Sequence, residues 1–167
     1  GGSTWSSYAA AGSITDICVS PLNPSKIWIT TSSGTGRVYV STNNGATFTS
    51  IQGLLPVISA RSIVVDNTAD ERLFVGMNLG VYTMSNSNPG WVNWSDNLPL
   101  VAINELDIQH ANNILRVATY GRGVWQASSI VSTPCNDPSN LFANINFQTL
   151  IENNLISKFS HLDTTTH

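Results

Sequence analysis

The chain has 167 residues and a net charge of −3 at pH 7, and charged residues fill only 10% of its positions, against about a quarter in an average domain. This length can bury a core, and the weakly acidic balance offers no basic surface for nucleic acid. No apolar run approaches the roughly 20 residues that span a bilayer, so we expect no membrane insertion. Two cysteines without a zinc-type Cys or His spacing lead us to expect neither a metal nor a cofactor.

Short β-runs separated by turn residues continue to about residue 128. A first unit, residues 13–56, holds four such runs, and a second unit, residues 57–99, repeats their order. A third unit begins at Val101 and has three runs, because Pro134 stands where its fourth would start. The predicted strands are 14–19, 26–30, 37–41 and 47–51; 61–65, 72–76, 81–85 and 91–94; and 104–108, 113–119 and 123–127.

These units echo one another at an interval of 43 residues. A fixed period of this size, built from short strands, is typical of a β-propeller whose blades are sheets of four antiparallel strands. We therefore predict an all-β fold of about three blades that belongs to a larger propeller. The matching positions are Val38 with Val81, Phe48 with Trp91, Leu55 with Leu98, Pro56 with Pro99, and Gly80-Val81 with Gly123-Val124.

The same interval reaches back to the start of the sequence, where Trp5 and Tyr8 precede Phe48 and Ile51 by 43 residues. Residues 1–11 are thus predicted to form an outer strand, and the chain is expected to begin inside a repeat. At the other end, the Ser/Thr/Pro-rich residues 131–140 mark a boundary. We predict propeller blades over 1–130 and a linker with a further segment over 131–167. A disulfide between Cys18 and Cys135 stays open.

A polar turn with an aromatic end, residues 41–48, carries the most specific pattern of the chain. Gly45 suits a positive φ, and the side chains of Ser41 and Asn43 can accept hydrogen bonds from free amides of the turn. With Thr47 and Phe48 this segment resembles the Asp-box, or BNR repeat, Ser-x-Asp-x-Gly-x-Thr-Trp. The resemblance implies that these residues hold a turn. Gly2, Thr4 and Trp5 are similar to the tail of a second box, and residues 85–91 to a degraded third.

The segment from Ala118 to Trp125 looks like the closing blade of sortilin-type and xyloglucanase-like BNR propellers. The resemblance implies a role for Tyr120 and Arg122 at a propeller rim. Arg122 either contacts a ligand there or stacks on a neighbouring ring and bonds loop carbonyls.

Acidic residues supply the remaining candidate sites. Asp16 and Glu105 fall at equivalent places on predicted inner strands, where they form either a hydrolase pair or solvated rim residues. The acidic run Asp66–Glu71 either offers oxygen ligands to Ca²⁺ or is a plain hairpin loop. No Ser/His/Asp or Cys/His arrangement and no arginine cluster is evident, so we assign no catalytic residue.

Together these features predict a non-catalytic scaffold or recognition module of a larger secreted or cell-surface protein. Low charge with many Ser, Thr and Asn residues favours that location. Alternatives are a fragment of a xyloglucanase-type glycoside hydrolase and a sortilin-like peptide-binding receptor fragment. Expected partners are the remainder of a parent chain or another protein chain that covers exposed blade faces, and also a polysaccharide or a peptide.

Overall fold

The structure is a computed structural model that describes residues 2–5, 7, 12–33, 36–127 and 130. Gly1–Ile130 forms one compact unit. Its described residues contain strands and turns but no helix, and hence no helix able to cross a bilayer. The strands are β1 (Ile14–Val19), β2 (Ile27–Thr31), β3 (Val38–Ser41), β4 (Thr49–Ser50), β5 (Ala60–Val65), β6 (Leu73–Met77), β7 (Gly80–Met84), β8 (Val92–Asn93), β9 (Ile103–Gln109), β10 (Ile114–Thr119) and β11 (Val124–Gln126).

These strands form three antiparallel sheets in chain order. The first sheet is β1-β2-β3-β4, the second is β5-β6-β7-β8, and the third is β9-β10-β11. Each sheet is a simple meander, because short turn-rich connections join neighbouring antiparallel strands. The predicted all-β fold is confirmed, and every predicted strand from residue 14 onward is present, with ends that differ by no more than two residues.

The outer strand predicted for residues 1–11 is not seen in the described part of that segment. Residues 2–5 and 7 are not in a strand, and the side chain of Trp5 is 91% exposed. The physical reason is that an extended segment is stable only where a sheet edge pairs its backbone groups. Phe48 and Trp91, in contrast, each stand directly before the outermost strand of a four-stranded sheet. Tyr8 lies outside the described residues, as does the predicted linker at 131–167.

Two apolar clusters hold the sheets against one another. Between the first and second sheets, Trp28 and Val38 pack on Ile63, Val75 and their neighbours. Between the second and third sheets, Phe74 and Val81 pack on Leu106, Leu115 and Val117. Burying each such side chain stabilises the fold by about 1.5–3 kcal/mol. The middle sheet is covered on both faces, and consequently all five residues of β6 are buried.

Candidate functional site

The inner strands β1, β5 and β9 place three polar residues in a row across the sheets. β1 contacts β5, and β5 contacts β9. Each of the three inner strands has a register irregularity near its start. It directly precedes Asp16 in β1, Ser62 in β5 and Glu105 in β9. Bulges of this kind re-aim side chains. The row is therefore a repeated feature of the fold.

Asp16 joins the first sheet to the second. Its Oδ2 accepts hydrogen bonds from the Ser62 hydroxyl (2.9 Å) and from the Ile63 amide (2.8 Å). Its Oδ1 accepts from the amide of Ile17 (2.8 Å). Backbone amides thus engage both carboxylate oxygens, an arrangement that favours a structural role for Asp16.

Ser62 continues the row toward the third sheet. This fully buried hydroxyl accepts a hydrogen bond from the amide of Leu106 (3.1 Å). Its single proton faces two acceptors, Asp16 Oδ2 at 2.9 Å and Glu105 Oε1 at 3.3 Å. Since one hydroxyl donates to one acceptor at a time, the closer Asp16 is the favoured partner. Glu105, an exposed residue, keeps most of its acceptor capacity.

The sequence therefore placed Asp16 and Glu105 correctly as equivalents but missed the residue between them. Ser62 follows Asp16 by 46 residues and precedes Glu105 by 43. The spacing of the repeats could have identified it, although a serine carries no charge to attract notice.

Tyr120 and Arg122 lie on the turn between β10 and β11. Both are exposed, and in the described part of the chain neither side chain bonds to Asp16 or Glu105. The turn is held by its backbone: the indole N–H of Trp125 donates to the Arg122 carbonyl (2.9 Å), and the Thr119 hydroxyl donates to the Gly123 carbonyl (2.6 Å). Neither of the two roles considered for the Arg122 side chain is tested by these backbone contacts.

The turn at residues 41–48 has the local geometry that its sequence predicts. Ser41 Oγ accepts the Gly45 amide (2.9 Å), and Asn43 Oδ1 accepts the Thr47 amide (3.0 Å). Gly45 has φ +84°, and a Cβ there would lie 3.8 Å from the Phe48 ring. These contacts account for a turn-holding role.

The start of the chain repeats the glycine–aromatic contact of that turn. Gly2 has φ +77°, and a Cβ there would lie 3.8 Å from the ring of Trp5. The local arrangement is thus present even where no sheet is paired.

Glu71, which the sequence analysis considered only as the last residue of the acidic run Asp66–Glu71, connects two sheets. This buried carboxylate in the hairpin loop after β5 reaches across to the first sheet, where it accepts from Lys26 Nζ (2.5 Å) and from the Ser20 hydroxyl. It also accepts from Asn86 Nδ2 (3.4 Å). Burial by itself would raise the pKa of Glu71, but these hydrogen bonds and the charge of Lys26 together lower its pKa below the ordinary value.

The other acids of that loop also bond protein groups. Asp66 Oδ1 accepts the amides of Thr68 (3.2 Å) and Arg72 (3.0 Å), and Asp70 accepts the amide of Ser87 (2.7 Å). This use of the carboxylates favours the hairpin interpretation over the calcium one.

Cys18 is a packing residue of β1. It lies against the cluster between the first and second sheets, and burial, with a smaller contribution from the Asp16 charge, raises the pKa of its thiol to about 11. A neutral thiol is a poor nucleophile. Cys135 lies outside the described residues, so the disulfide stays untested.

Comparisons with known proteins identify the fold and nothing finer. No family model and no curated protein matches this chain. Three similar solved structures are a GH74 enzyme from Niastella koreensis (TM-score 0.52, 16% identity, 70% of this chain and 21% of that chain), a gluconolactonase from Xanthomonas campestris (0.56, 14%, 71% and 38%), and the extracellular domain of a putative hybrid two component system from B. thetaiotaomicron (0.50, 19%, 68% and 15%).

At these identities the likeness concerns the fold alone. The chain has a β-propeller-like fold, in which its three sheets are blades. It spans between 15% and 38% of the length of these three structures.

Proposed function

We propose that the chain forms blades of a non-catalytic β-propeller, a scaffold or recognition module of a larger secreted or cell-surface protein. The partner that covers its first sheet is a further blade of that protein. Low charge and the likeness in fold to extracellular domains support the location. A polysaccharide or a peptide is the proposed ligand class.

The exposed face of β1 carries this proposal. Ile14, Ile17 and Val19 are 52%, 60% and 48% exposed. Their equivalents in both later sheets are at most 6% exposed, because the preceding sheet covers them: Ala60, Ile63 and Val65 in the second sheet, and Ile103, Leu106 and Ile108 in the third.

The same packing of one sheet on the next thus occurs at two interfaces. The face of β1 that would form a third such interface is exposed. A contiguous apolar face of this kind marks an interaction surface. A sheet with an apolar face like that of Trp28 and Val38 is the partner that matches it.

The test is the behaviour of residues 1–167 in solution. We expect light scattering to report association, and an apolar dye to bind the chain. The double variant Ile17→Ser/Val19→Ser should lose most of the dye signal yet unfold cooperatively. The control Leu22→Ser changes an equally exposed leucine in the turn after β1 and should leave the signal unchanged. A soluble, cooperative monomer without dye binding would overturn the proposal.

A glycoside hydrolase fragment is the second candidate, favoured by the meeting of Asp16 and Glu105 at Ser62 and by the likeness in fold to a GH74 enzyme. The scaffold is preferred because backbone amides engage both oxygens of Asp16. We expect no hydrolysis of sialosides or β-glucans by this chain, and turnover that disappears in Asp16→Asn or Glu105→Gln would favour the enzyme instead.

A further inference from the structure

A cavity of about 490 Å³ lies between the second and third sheets, at their outer side. The second sheet contributes β7 and the loop after β8, and the third sheet contributes β10 and β11. Its walls combine two indole rings and aliphatic side chains with a few polar groups. The lining includes Val81, Trp94, Leu98, Val117, Trp125 and Ala127.

The corresponding place one sheet earlier is occupied by Trp91. Its indole N–H donates to the carbonyl of Ile51 (2.7 Å), in the loop after β4. Gly53 lets the ring approach closely, since a Cβ there would lie 3.5 Å from Trp91 Cδ1. Trp91 is consequently buried within the cluster between the first and second sheets.

Several wall residues of the two places correspond, whereas Asp96 of the cavity stands where the first sheet has Gly53. At the interval of 43, Trp94 and Leu98 take the positions of Ile51 and Leu55. Strand pairing places Val117 and Trp125 where the second sheet has Val75 and Tyr82. Equivalents of residues that share a cluster with Trp91 in one interface thus line a cavity in the next.

The third sheet also has a free edge, at β11, to which a strand bearing such a tryptophan could pair in the described part of the chain. The carbonyls of Val38 and Val81 accept the amides of Ile51 (2.9 Å) and Trp94 (2.8 Å), which follow the outer strands. Val124 is the equivalent residue on β11 and is 73% exposed. The described part of the third sheet ends at β11. Further along the chain, the position 43 residues after Trp91 is Pro134, which supplies neither an indole nor a backbone donor.

A segment with the required chemistry exists in this sequence. Gly2–Trp5 repeats the glycine–aromatic contact of the turn before β4, but it lies in no strand, and its indole is 91% exposed. We propose that the cavity binds Trp5 of a second copy of this chain, whose segment Gly2–Trp5 begins a strand that adds to β11 as the fourth strand of the third sheet. This surface is separate from the exposed face of β1, so either proposal can fail without the other.

The geometry fixes the contacts of the incoming strand. Its indole N–H donates to the carbonyl of Trp94, as Trp91 does to Ile51, and its ring packs on Leu98 and Trp125. A strand amide donates to the carbonyl of Val124. Backbone pairing supplies affinity in such strand addition, and the side-chain pocket supplies selectivity.

The experiment uses a labelled peptide of residues 1–12 and the full chain carrying Trp5→Ala, so that its own segment does not compete. We expect saturable binding in fluorescence anisotropy. A peptide with Trp5→Ala should bind at least tenfold more weakly. Leu98→Arg in the chain should weaken binding to a similar extent, whereas Leu54→Arg, which changes a 93% exposed residue of the equivalent loop of the first sheet, should not.

A second variant guards against misfolding by Leu98→Arg. Ala127→Phe fills the cavity without removing a core side chain and should also block the peptide. The wild-type chain should associate through this contact, and Trp5→Ala should abolish that association. A monomeric wild-type chain, or association that is unchanged in Trp5→Ala, would overturn the assignment to a second copy. No peptide binding, or binding that is indifferent to Trp5, Leu98 and Ala127, would overturn it.

Discussion

At the scale of single residues, side chains that bond the backbone of the next sheet fix how the blades meet. Asp16 accepts the amide of Ile63, and Ser62 accepts the amide of Leu106. One strand position thus uses a carboxylate in one interface and a hydroxyl in the next. The shared requirement is an acceptor for a buried amide, which would otherwise cost about 1–3 kcal/mol.

Glu71 offers a test of an ionic contact between blades. Glu71→Gln should lower the free energy of unfolding at pH 7 by about 1–3 kcal/mol, because the charge of Lys26 loses its partner. The folded-state pKa of Glu71 lies below its ordinary value, so the contribution is full above the ordinary glutamate pKa of about 4.3 and disappears as pH falls through the folded-state pKa.

Urea unfolding from pH 7 to pH 3 checks this dependence. The difference between wild type and Glu71→Gln should shrink toward acid pH. Asp107→Asn, which changes an exposed carboxylate on β9, serves as the control and should cost little at pH 7. A difference that is constant over the whole range would show that the charge of Glu71 does not stabilise the fold.

At the scale of elements, turns with internal side-chain bonds set the length and register of the strands. The turn before β4 closes through Ser41 and Asn43, and the two-residue strand that follows needs this support because it makes few ladder bonds of its own. Local sequence is therefore sufficient to specify this part of the first sheet.

The two acceptors of this turn should differ in their contribution to stability. Ser41→Ala leaves the buried Gly45 amide without its acceptor and should cost about 1–3 kcal/mol. Asn43→Ala frees the amide of Thr47, an exposed residue that water can reach, and should cost about 1 kcal/mol or less.

Thermal unfolding of both variants tests this order. Thr42→Ala, on an exposed residue of the same turn, should leave the midpoint unchanged, and Asn43→Asp should retain stability because it keeps the acceptor. Equal losses in Ser41→Ala and Asn43→Ala would contradict the role assigned to burial.

At the scale of the whole molecule, three similar sheets stack through two interfaces. The close approach of the second and third sheets depends on a glycine, which has no side chain. A Cβ on Gly76 of β6 would lie 2.5 Å from Ile103 Cγ2 and 2.9 Å from Ile103 Cβ, across the second interface. Such a distance is incompatible with the present packing, so this glycine lets β9 approach the second sheet.

Gly76→Ala should therefore destabilise the chain by about 1–3 kcal/mol through overpacking. Gly90→Ala is the matched control: its φ is ordinary, and the nearest atom, Asn88 Oδ1, lies 3.9 Å from the added Cβ. We expect the control to be neutral or slightly stabilising. Chemical denaturation measures the free energy of unfolding of both variants. Equal stability would show that the interface can accommodate a methyl group at Gly76.

What the sequence determined was the local structure between residues 14 and 127: the strands, the order within each sheet and the turn at residues 41–48. Alternating apolar residues, turn residues and the interval of 43 act over short separations, so they can be recognised without knowledge of the fold. The repeat spacing, 46 residues between the first two inner strands and 43 between the next two, placed Asp16 and Glu105 in register.

Only the tertiary structure decided which surfaces are covered. It brought Ser62 between the two acids, joined Glu71 to Lys26 across an interface, and left Trp5 exposed where the sequence predicted a strand. The tertiary structure also decided that the face of β1 is exposed and that a cavity lies beside Trp125. Repeated blades share a local pattern of apolar and turn residues. Burial depends instead on whether a neighbouring sheet or strand is present, and that relation involves residues far apart in the chain or outside it.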